Sequence, residues 1–403
     1  MKAECKPRIA VISPFLDKRH GTELCIAEQI EMLANEFDFH VYSTRISDMD
    51  TRKFTWHRIP DIPGPHLFKY IWFFCANHAR RWFERLSGKI KPELTYSPGI
   101  NCFDADVISV HIVFAEFRRL ARGNLALRAN PISSWVRLIH RRMFYRLIIW
   151  LEKSIYTSRL PLIGVSGKVK ASLARHYSAE NAIVIPNGIS SDKFNPEVRN
   201  KLRDPSRVAI GFSPSDFVLL LVGNDWRKKG LICLLQALVL SKTDRLKLAV
   251  VGRDDVSPFR ALIERYQLGS RVCFLPERAD PEFYYASADA YVGPSVEDAF
   301  AIPPLEAMAC GLPTVVSSRA GVSEIVTHGV DGLVLQNPED PTELSHLIMQ
   351  IYDGEEYREQ LSRSGAKTAS QFTWARNAEQ LRIVFHQLLA KSQAQSVIAP
   401  RPV

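Results

Sequence analysis

Continuous apolar runs of strand length, each ending in a glycine or serine loop before a helical stretch, constrain this chain most. Phe217-Val218-Leu219-Leu220-Leu221-Val222-Gly223 shows no polar alternation, and Leu246-Lys247-Leu248-Ala249-Val250-Val251-Gly252 shows almost none. A strand without alternation is covered on both faces, as in a parallel sheet flanked by helices. The first half holds similar runs at 8–13, 39–43, 106–111 and 162–166, and the second half adds 272–275, 290–295 and 314–316. Helical spacing lies between them: from Thr22 through Leu24, Ala27, Ile30, Met32 and Leu33, then at 231–240, then at 304–310 before Gly311. Two strand–helix series in 403 residues are too much for one ordinary core. They predict an α/β chain of two doubly wound domains, with ligands bound beyond the carboxyl ends of the strands, in the cleft between domains. The polar stretch 192–215 is expected to be the linker, and the tail after Ser392 to fray.

Composition narrows the class. A hydrophobic fraction of 46% and a charged fraction of 24% are those of a globular protein. No apolar run approaches the roughly 20 residues that span a bilayer. The polar start to Arg8 followed by a strand-length apolar stretch does not read as a signal peptide. Seven scattered cysteines without a Cys-x-x-Cys pair point to reduced thiols and a cytoplasmic protein. The charge is uneven: residues 1–200 carry 30 Lys+Arg against 19 Asp+Glu, residues 201–403 carry 22 against 24. From 117 to 160 ten basic residues face only Glu152. Such a surface suits acidic lipid headgroups or nucleic acid, although a solvated helix face accounts for it equally well. No nucleic-acid motif and no stacking array of aromatics accompanies the charge, so nucleic acid is not the expected partner.

Four loops carry candidate chemistry. In Pro294-Ser295-Val296-Glu297-Asp298-Ala299-Phe300-Ala301-Ile302-Pro303-Pro304-Leu305-Glu306 a strand ends and a helix starts; free amides and the positive dipole end favour a diphosphate there. Asp298 and Glu306 bracket this loop and can accept from sugar or ribose hydroxyls; by spacing alone, two solvated acids on a capped helix are the commoner arrangement. Gly223-Asn224-Asp225-Trp226-Arg227-Lys228-Lys229-Gly230 again joins a strand to a helix, and a cation here can neutralise a leaving diphosphate; the glycine spacing is not that of a P-loop. His111 closes a strand and can position a hydroxyl, although lone histidines are more often structural. Arg19-His20-Gly21-Thr22 is a glycine turn into a helix. The acid pairs Asp48/Asp50 and Asp104/Asp106 lack further ligands, and no metal is expected.

Taken in order, these segments resemble the family 4 glycosyltransferases of GT-B fold, most clearly over 165–378. Pro186-Asn187-Gly188-Ile189 with Phe194 is similar to that family's interdomain segment, residues 294–313 to its signature loop and helix. Gly321, Glu324-Ile325, Gly329 and Asp331-Gly332-Leu333 resemble the segment after it, and Phe372-Thr373-Trp374 the start of its last helix. The resemblance implies two Rossmann-like domains with an interdomain cleft: 1–200 for the acceptor, 201–371 for the donor, and a helix at 372–392 crossing back. It implies retaining transfer of a hexose from a UDP- or GDP-linked donor, without metal or other cofactor. The acceptor is expected to be a glycan or lipid-linked hydroxyl in cell-envelope or exopolysaccharide synthesis, met by a cytoplasmic protein peripheral on the inner membrane face. Carried over by position, Glu306 holds the ribose, Lys229 the diphosphate, Gly21 the phosphates and His111 the reacting sugar. The stretch Phe300, Ala301, Ile302 and Pro303 forms the diphosphate cradle, and Asp298 contacts the donor sugar. Two positions depart from the pattern. Asp298 stands where the family usually has Glu, with Glu297 as a possible substitute. Asn224 stands where Arg is frequent, with Arg227, rather than Lys228, expected to supply the charge. The alternatives are an inactive scaffold of the same fold, or a basic protein binding nucleic acid or another anionic surface.

Overall fold

The computed structural model describes residues 6–88, 90–123 and 135–398. The chain divides into two compact units: among the described residues, one holds 6–88, 90–119, 135–188 and 374–398, the other 120–123 and 189–373. The first unit begins with β1 (Arg8–Ile12), β2 (Phe15–Leu16), α1 (Gly21–Leu33), β3 (Asp38–Ser43), β4 (Arg45–Ile46), β5 (Thr55–Arg58) and α2 (His66–Leu86). It continues through β6 (Leu94–Pro98), β7 (Val107–Val110), α3 (Phe114–Gly123, whose residues 120–123 count with the second unit), α4 (Trp135–Ile155), β8 (Leu162–Gly164), α5 (Gly167–Tyr177) and β9 (Ile183–Val184). Among the described residues, seven strands form one parallel sheet in the order β5-β3-β1-β6-β7-β8-β9. Residues 9–12 and 107–110 are buried throughout, as two-sided coverage requires.

The second unit runs α6 (Pro196–Ile210), β10 (Phe217–Val222), α7 (Leu231–Leu240), β11 (Leu246–Val251), α8 (Ser257–Arg265), β12 (Val272–Leu275), α9 (Glu282–Ser287) and β13 (Ala290–Gly293). It closes with α10 (Ile302–Ala309), β14 (Thr314–Ser317), β15 (Leu333–Leu335), α11 (Pro341–Asp353) and α12 (Glu355–Ala369). Its six strands are parallel, in the order β12-β11-β10-β13-β14-β15. The apolar α7 is buried through Leu231, Leu234, Leu235 and Leu238, and packs in one cluster with Leu219, Leu248 and Leu344. The last helix, α13 (Trp374–Ile398), returns to the first unit, where Leu381, Phe385 and Leu389 share a core with Val11, Ile30 and Tyr96. Its buried Asn377 accepts from Gln29 at 2.8 Å and donates to the Pro186 carbonyl at 2.7 Å, so a polar chain fixes the register of that packing.

Three expectations change. The stretch 192–215 is not a loose linker: α6 occupies most of it. Asn195 accepts from the Val198 amide at 2.8 Å as N-cap, Pro196 opens the helix, and Gly211 at φ +88° ends it. The units accordingly change over at Gly188/Ile189, before α6, where the sequence put the boundary at 200. The tail after Ser392 is helical as far as Ile398. Among the described residues, no helix is long and apolar enough to cross a membrane.

Candidate functional site

In each sheet the strand order reverses once, and in a doubly wound sheet the loops leaving the strands on either side of that reversal diverge and leave a crevice. In the second unit the reversal falls between β10 and β13. The loops that leave them are 223–230 and 294–301, the two stretches singled out in the sequence. They are locked together. The Val296 amide donates to the Lys228 carbonyl at 2.9 Å. Gly230, at φ +81°, lies so close that a Cβ would stand 2.0 Å from the Pro294 carbonyl oxygen. Gly230→Ala is therefore expected to cost about 3–5 kcal/mol, combining strain and overlap. Gly211→Ala is the control: its φ is +88° but a Cβ there meets nothing within 4 Å, so about 1–2 kcal/mol is expected. Urea denaturation of the two variants separates the overlap from the backbone strain.

The locking sets the charges. Lys229 Nζ donates to Asp298 Oδ2 at 2.6 Å, across 69 residues of sequence. Its methylenes cross Gly223, where a Cβ would meet Lys229 Cε at 2.8 Å, so glycine leaves the path open. Burial pushes the Asp298 carboxyl up, but Lys229 and Lys228 more than offset this, and it lies below the usual carboxylate range. Lys228 pairs with Glu297 at 2.7 Å, which occupies the acid adjacent to Asp298. Arg227 forms no ion pair among the described residues, and its buried Nε has no hydrogen-bond partner there. Asn224 bridges the strand ends instead: its Oδ1 accepts from the Arg253 amide at 2.6 Å and its Nδ2 donates to Glu277 at 3.0 Å.

The start of α10 follows at once. Ala301, its N-cap, sits at φ +68°, a conformation that costs a non-glycine residue on the order of 1–3 kcal/mol. The Phe300 amide is taken by Asp298 at 3.2 Å. The amides of Ala301 and Ile302 have no acceptor among the described residues, while Pro303 and Pro304 have no amide hydrogen to offer. Two unsatisfied donors at a helix start make a site for an anion. Glu306 lies on the same helix, part-buried, and accepts from the Tyr285 hydroxyl at 2.6 Å. Burial raises its carboxyl to about 7; Tyr285 works against the shift and Glu282 adds to it. Sequence reasoning missed Tyr285, since nothing in its spacing links α9 to α10.

Gly21 and His111 belong to the first unit. Gly21 is exposed at the first position of α1. The loop before it is shaped by buried Asp17, which accepts from the Arg19 and His20 amides, both at 3.0 Å, and from His20 Nδ1 at 2.9 Å. Asp17 was also missed; an acid two and three residues ahead of the amides it takes is the turn signal that marks it. His111 follows β7, whose last residue is Val110 rather than His111. Its Nε2 is buried without a hydrogen-bond partner among the described residues, and burial lowers the ring to about 4. A neutral imidazole with an unused nitrogen can hold a hydroxyl but is a poor proton reservoir near neutrality. The acid pairs are engaged: Asp48 with Arg19, Asp50 with Arg52, Asp104 with Arg81, and Asp106 with the Thr95 amide.

The fold defines the class: two parallel Rossmann-like sheets of seven and six strands, the GT-B architecture. It is similar to the solved structure of WaaG, a glycosyltransferase involved in lipopolysaccharide biosynthesis, with a TM-score of 0.77 and 19% identity over 93% of this chain and 98% of that one. Anabaena HepE, solved in complex with UDP and glucose, matches with a TM-score of 0.71 and 19% identity over 94% and 100%. In sequence, the chain is 29% identical over 238 residues to the D-inositol 3-phosphate glycosyltransferase of Pseudarthrobacter chlorophenolicus, covering 56% of each. It is 29% identical over 224 residues to the lipopolysaccharide glucosyltransferase WaaG of Escherichia coli K12, covering 54% of this chain and 56% of the other. The chain thus spans little more than half the length of the curated relatives it matches. Residues 202–368 match the family described as glycosyl transferases group 1, in line with the resemblance of the sequence motifs.

Proposed function

We propose that this chain is a retaining glycosyltransferase that moves a hexose from a UDP- or GDP-linked donor to a hydroxyl of a glycan or lipid-linked acceptor, without a divalent metal. The observation that carries the reading is the second unit's switch point. There a lysine ammonium is held 2.6 Å from Asp298, beside a helix start with two amides lacking acceptors, and a carboxyl titrating at about 7 follows on that helix. Such a constellation suits a ligand with a diphosphate flanked by hydroxyl-bearing rings. In this reading Lys229, Arg227 and the 300–303 backbone take the diphosphate, Glu306 the ribose and Asp298 the donor sugar. Gly21 serves the phosphates, and His111 contacts the reacting sugar as a neutral ring. The acceptor hydroxyl attacks the anomeric carbon on the face the leaving group vacates, and a phosphate oxygen takes its proton. The printed activities of the relatives support a sugar donor, and HepE's ligands favour UDP among the bases. The surplus charge of residues 1–200 supports a cytoplasmic protein peripheral on an anionic membrane, serving envelope or exopolysaccharide synthesis.

The test is thermal stabilisation by a panel of nucleoside diphosphates and nucleotide sugars, with chelator present. One base should shift the melting temperature selectively, since ligand at a hundred times Kd adds about 2.7 kcal/mol. No shift with any nucleotide at saturating concentration would favour the inactive scaffold and overturn the proposal.

A further inference from the structure

The helix α2 is turned inside out. Over its second half the inward residues are polar: Asn77, Arg81 and Glu84 are 0%, 3% and 8% exposed. Each is satisfied. Arg81 donates to both oxygens of Asp104 at 2.7 and 2.6 Å, and Asn77 donates to the Asn101 carbonyl at 3.2 Å. Glu84 accepts from Tyr42 at 2.7 Å and Arg80 at 2.6 Å. The outward face is apolar instead: Phe68, Trp72, Trp82, Phe83 and Leu86 are 59%, 40%, 58%, 63% and 67% exposed. With exposed Cys75 and Ala79 filling the gap between Trp72 and Trp82, and Ile71, 40% exposed, beside Trp72, they form one stripe with a spacing of three and four along a helix about 30 Å long. Water favours the opposite arrangement on a surface helix, and a contiguous exposed apolar stripe marks a surface with a partner.

The neighbouring helix continues the character. In α4, which touches α2 through His140 Nε2 at 3.3 Å from the Leu67 amide, Met143 and Trp150 are 53% and 57% exposed, and Arg142 and Arg146 are exposed beside them. Glu152, the one acid among the ten basic residues of 117–160, does not offset them at the surface. It is fully buried and accepts from the Phe114 and Ala115 amides at 2.7 and 3.0 Å. Within that stretch, 124–134 lie outside the described residues.

We propose that the outer face of α2 is a docking surface that inserts its aromatic stripe into the headgroup layer of an anionic bilayer. The inference rests on the reading that the basic first unit meets a membrane, and it names the face and the mode. Tryptophan and phenylalanine with flanking cations are the composition of a helix lying in the bilayer interface. The cations decide between occupants: Lys69, Arg80 and Arg85 border the stripe with side chains 43%, 48% and 47% exposed, each paired with an acid (Asp61, Glu84 and Asp104), and exposed Arg142 and Arg146 on α4 add to them. A two-fold pairing of two copies through this face would set those cations against their own images, whereas anionic lipid attracts them.

Sedimentation of the full chain with vesicles tests this, using phosphatidylcholine alone and phosphatidylcholine doped with phosphatidylglycerol. The wild type should bind the doped vesicles, and the triple variant W82S/F83S/L86S should bind them at least about tenfold more weakly, since three buried apolar side chains are lost. The pair F68S/I71S, on the other half of the stripe, repeats the test should the triple variant not fold. R142E/R146E should weaken binding to doped vesicles and flatten its salt dependence. Equal binding by the wild type and both stripe variants would overturn the proposal. So would a wild type that ignores vesicles but forms a dimer that the triple variant abolishes. An unchanged nucleotide-induced thermal shift in the stripe variants keeps the donor site out of the outcome, so either reading can fail alone.

Discussion

Lys229→Met is expected to lower kcat by about two to three orders of magnitude, with a much smaller change in KM, because it removes a preorganised cation from the charge that grows on the leaving diphosphate. The geometry supplies the preorganisation. Gly223 leaves space for the lysine methylenes, and Asp298 anchors the ammonium at 2.6 Å, so the charge is in place before a ligand arrives. Arginine should not rescue: a planar guanidinium needs a wider path than the one over Gly223 and carries its charge differently. Asp298→Asn keeps the cation and loses its anchor, so a drop of about tenfold is expected. Stability provides an independent readout. The Asp298 carboxyl is pushed up by burial and brought below its ordinary value by Lys229 and Lys228. A depressed folded-state pKa contributes stability above the unfolded-state value, lost as pH falls through the folded one. Lys229→Met should therefore destabilise most near neutrality and least in acid. Values of kcat/KM within about threefold of wild type would remove Lys229 from the chemistry.

How much of this was legible in the sequence depended on whether the cause was local. The runs Phe217–Val222 and Leu246–Val251 announced buried parallel strands because two-sided burial leaves no alternation. The two loops of the second unit were placed correctly as strand-to-helix joins for the same reason. The helix α6 had its signals in plain view, Asn195-Pro196 before it and Gly211 after, but its polar interior reads like a linker. What joins the loops was hidden. The contact between Lys229 and Asp298 exists because β10 and β13 are neighbours, a pairing that skips two strands and has no local trace. The weakened acidity of Glu306 and the unpartnered His111 Nε2 come from burial in the assembled units. The inversion of α2 was out of reach for a further reason: a helical period says that two faces differ, and only the packed structure says which one is inside.

Glu306→Gln is expected to make the ligand-free protein more stable and the donor-bound protein less so. Burial raises this carboxyl from 4.5 to about 7, so between those values the folded state holds a proton that the unfolded chain has lost. Stability from this group therefore declines as pH rises from about 4.5 to about 7, the reverse of a salt-bridged acid, and above that the buried carboxylate costs up to about 3 kcal/mol. Glutamine is never charged. Its stabilising effect should be near zero at pH 5 and grow to about 1–3 kcal/mol at pH 8, read from urea midpoints. Donor binding should move oppositely. Ribose hydroxyls donate to an ionised carboxylate, and replacing a charged acceptor by an amide loses about 1.5–3 kcal/mol, or roughly ten- to a hundredfold in Kd. Wild-type affinity should accordingly strengthen as pH rises through about 7, while the variant's stays flat. The measurement belongs with an intact nucleotide sugar, because its diphosphate diester has no group titrating in that range, unlike a free nucleoside diphosphate. Parallel pH profiles for the two proteins would mean that Glu306 does not meet the donor. The energy stored in its desolvation would then be only a cost of folding, and the ribose would have to be sought elsewhere on the second unit.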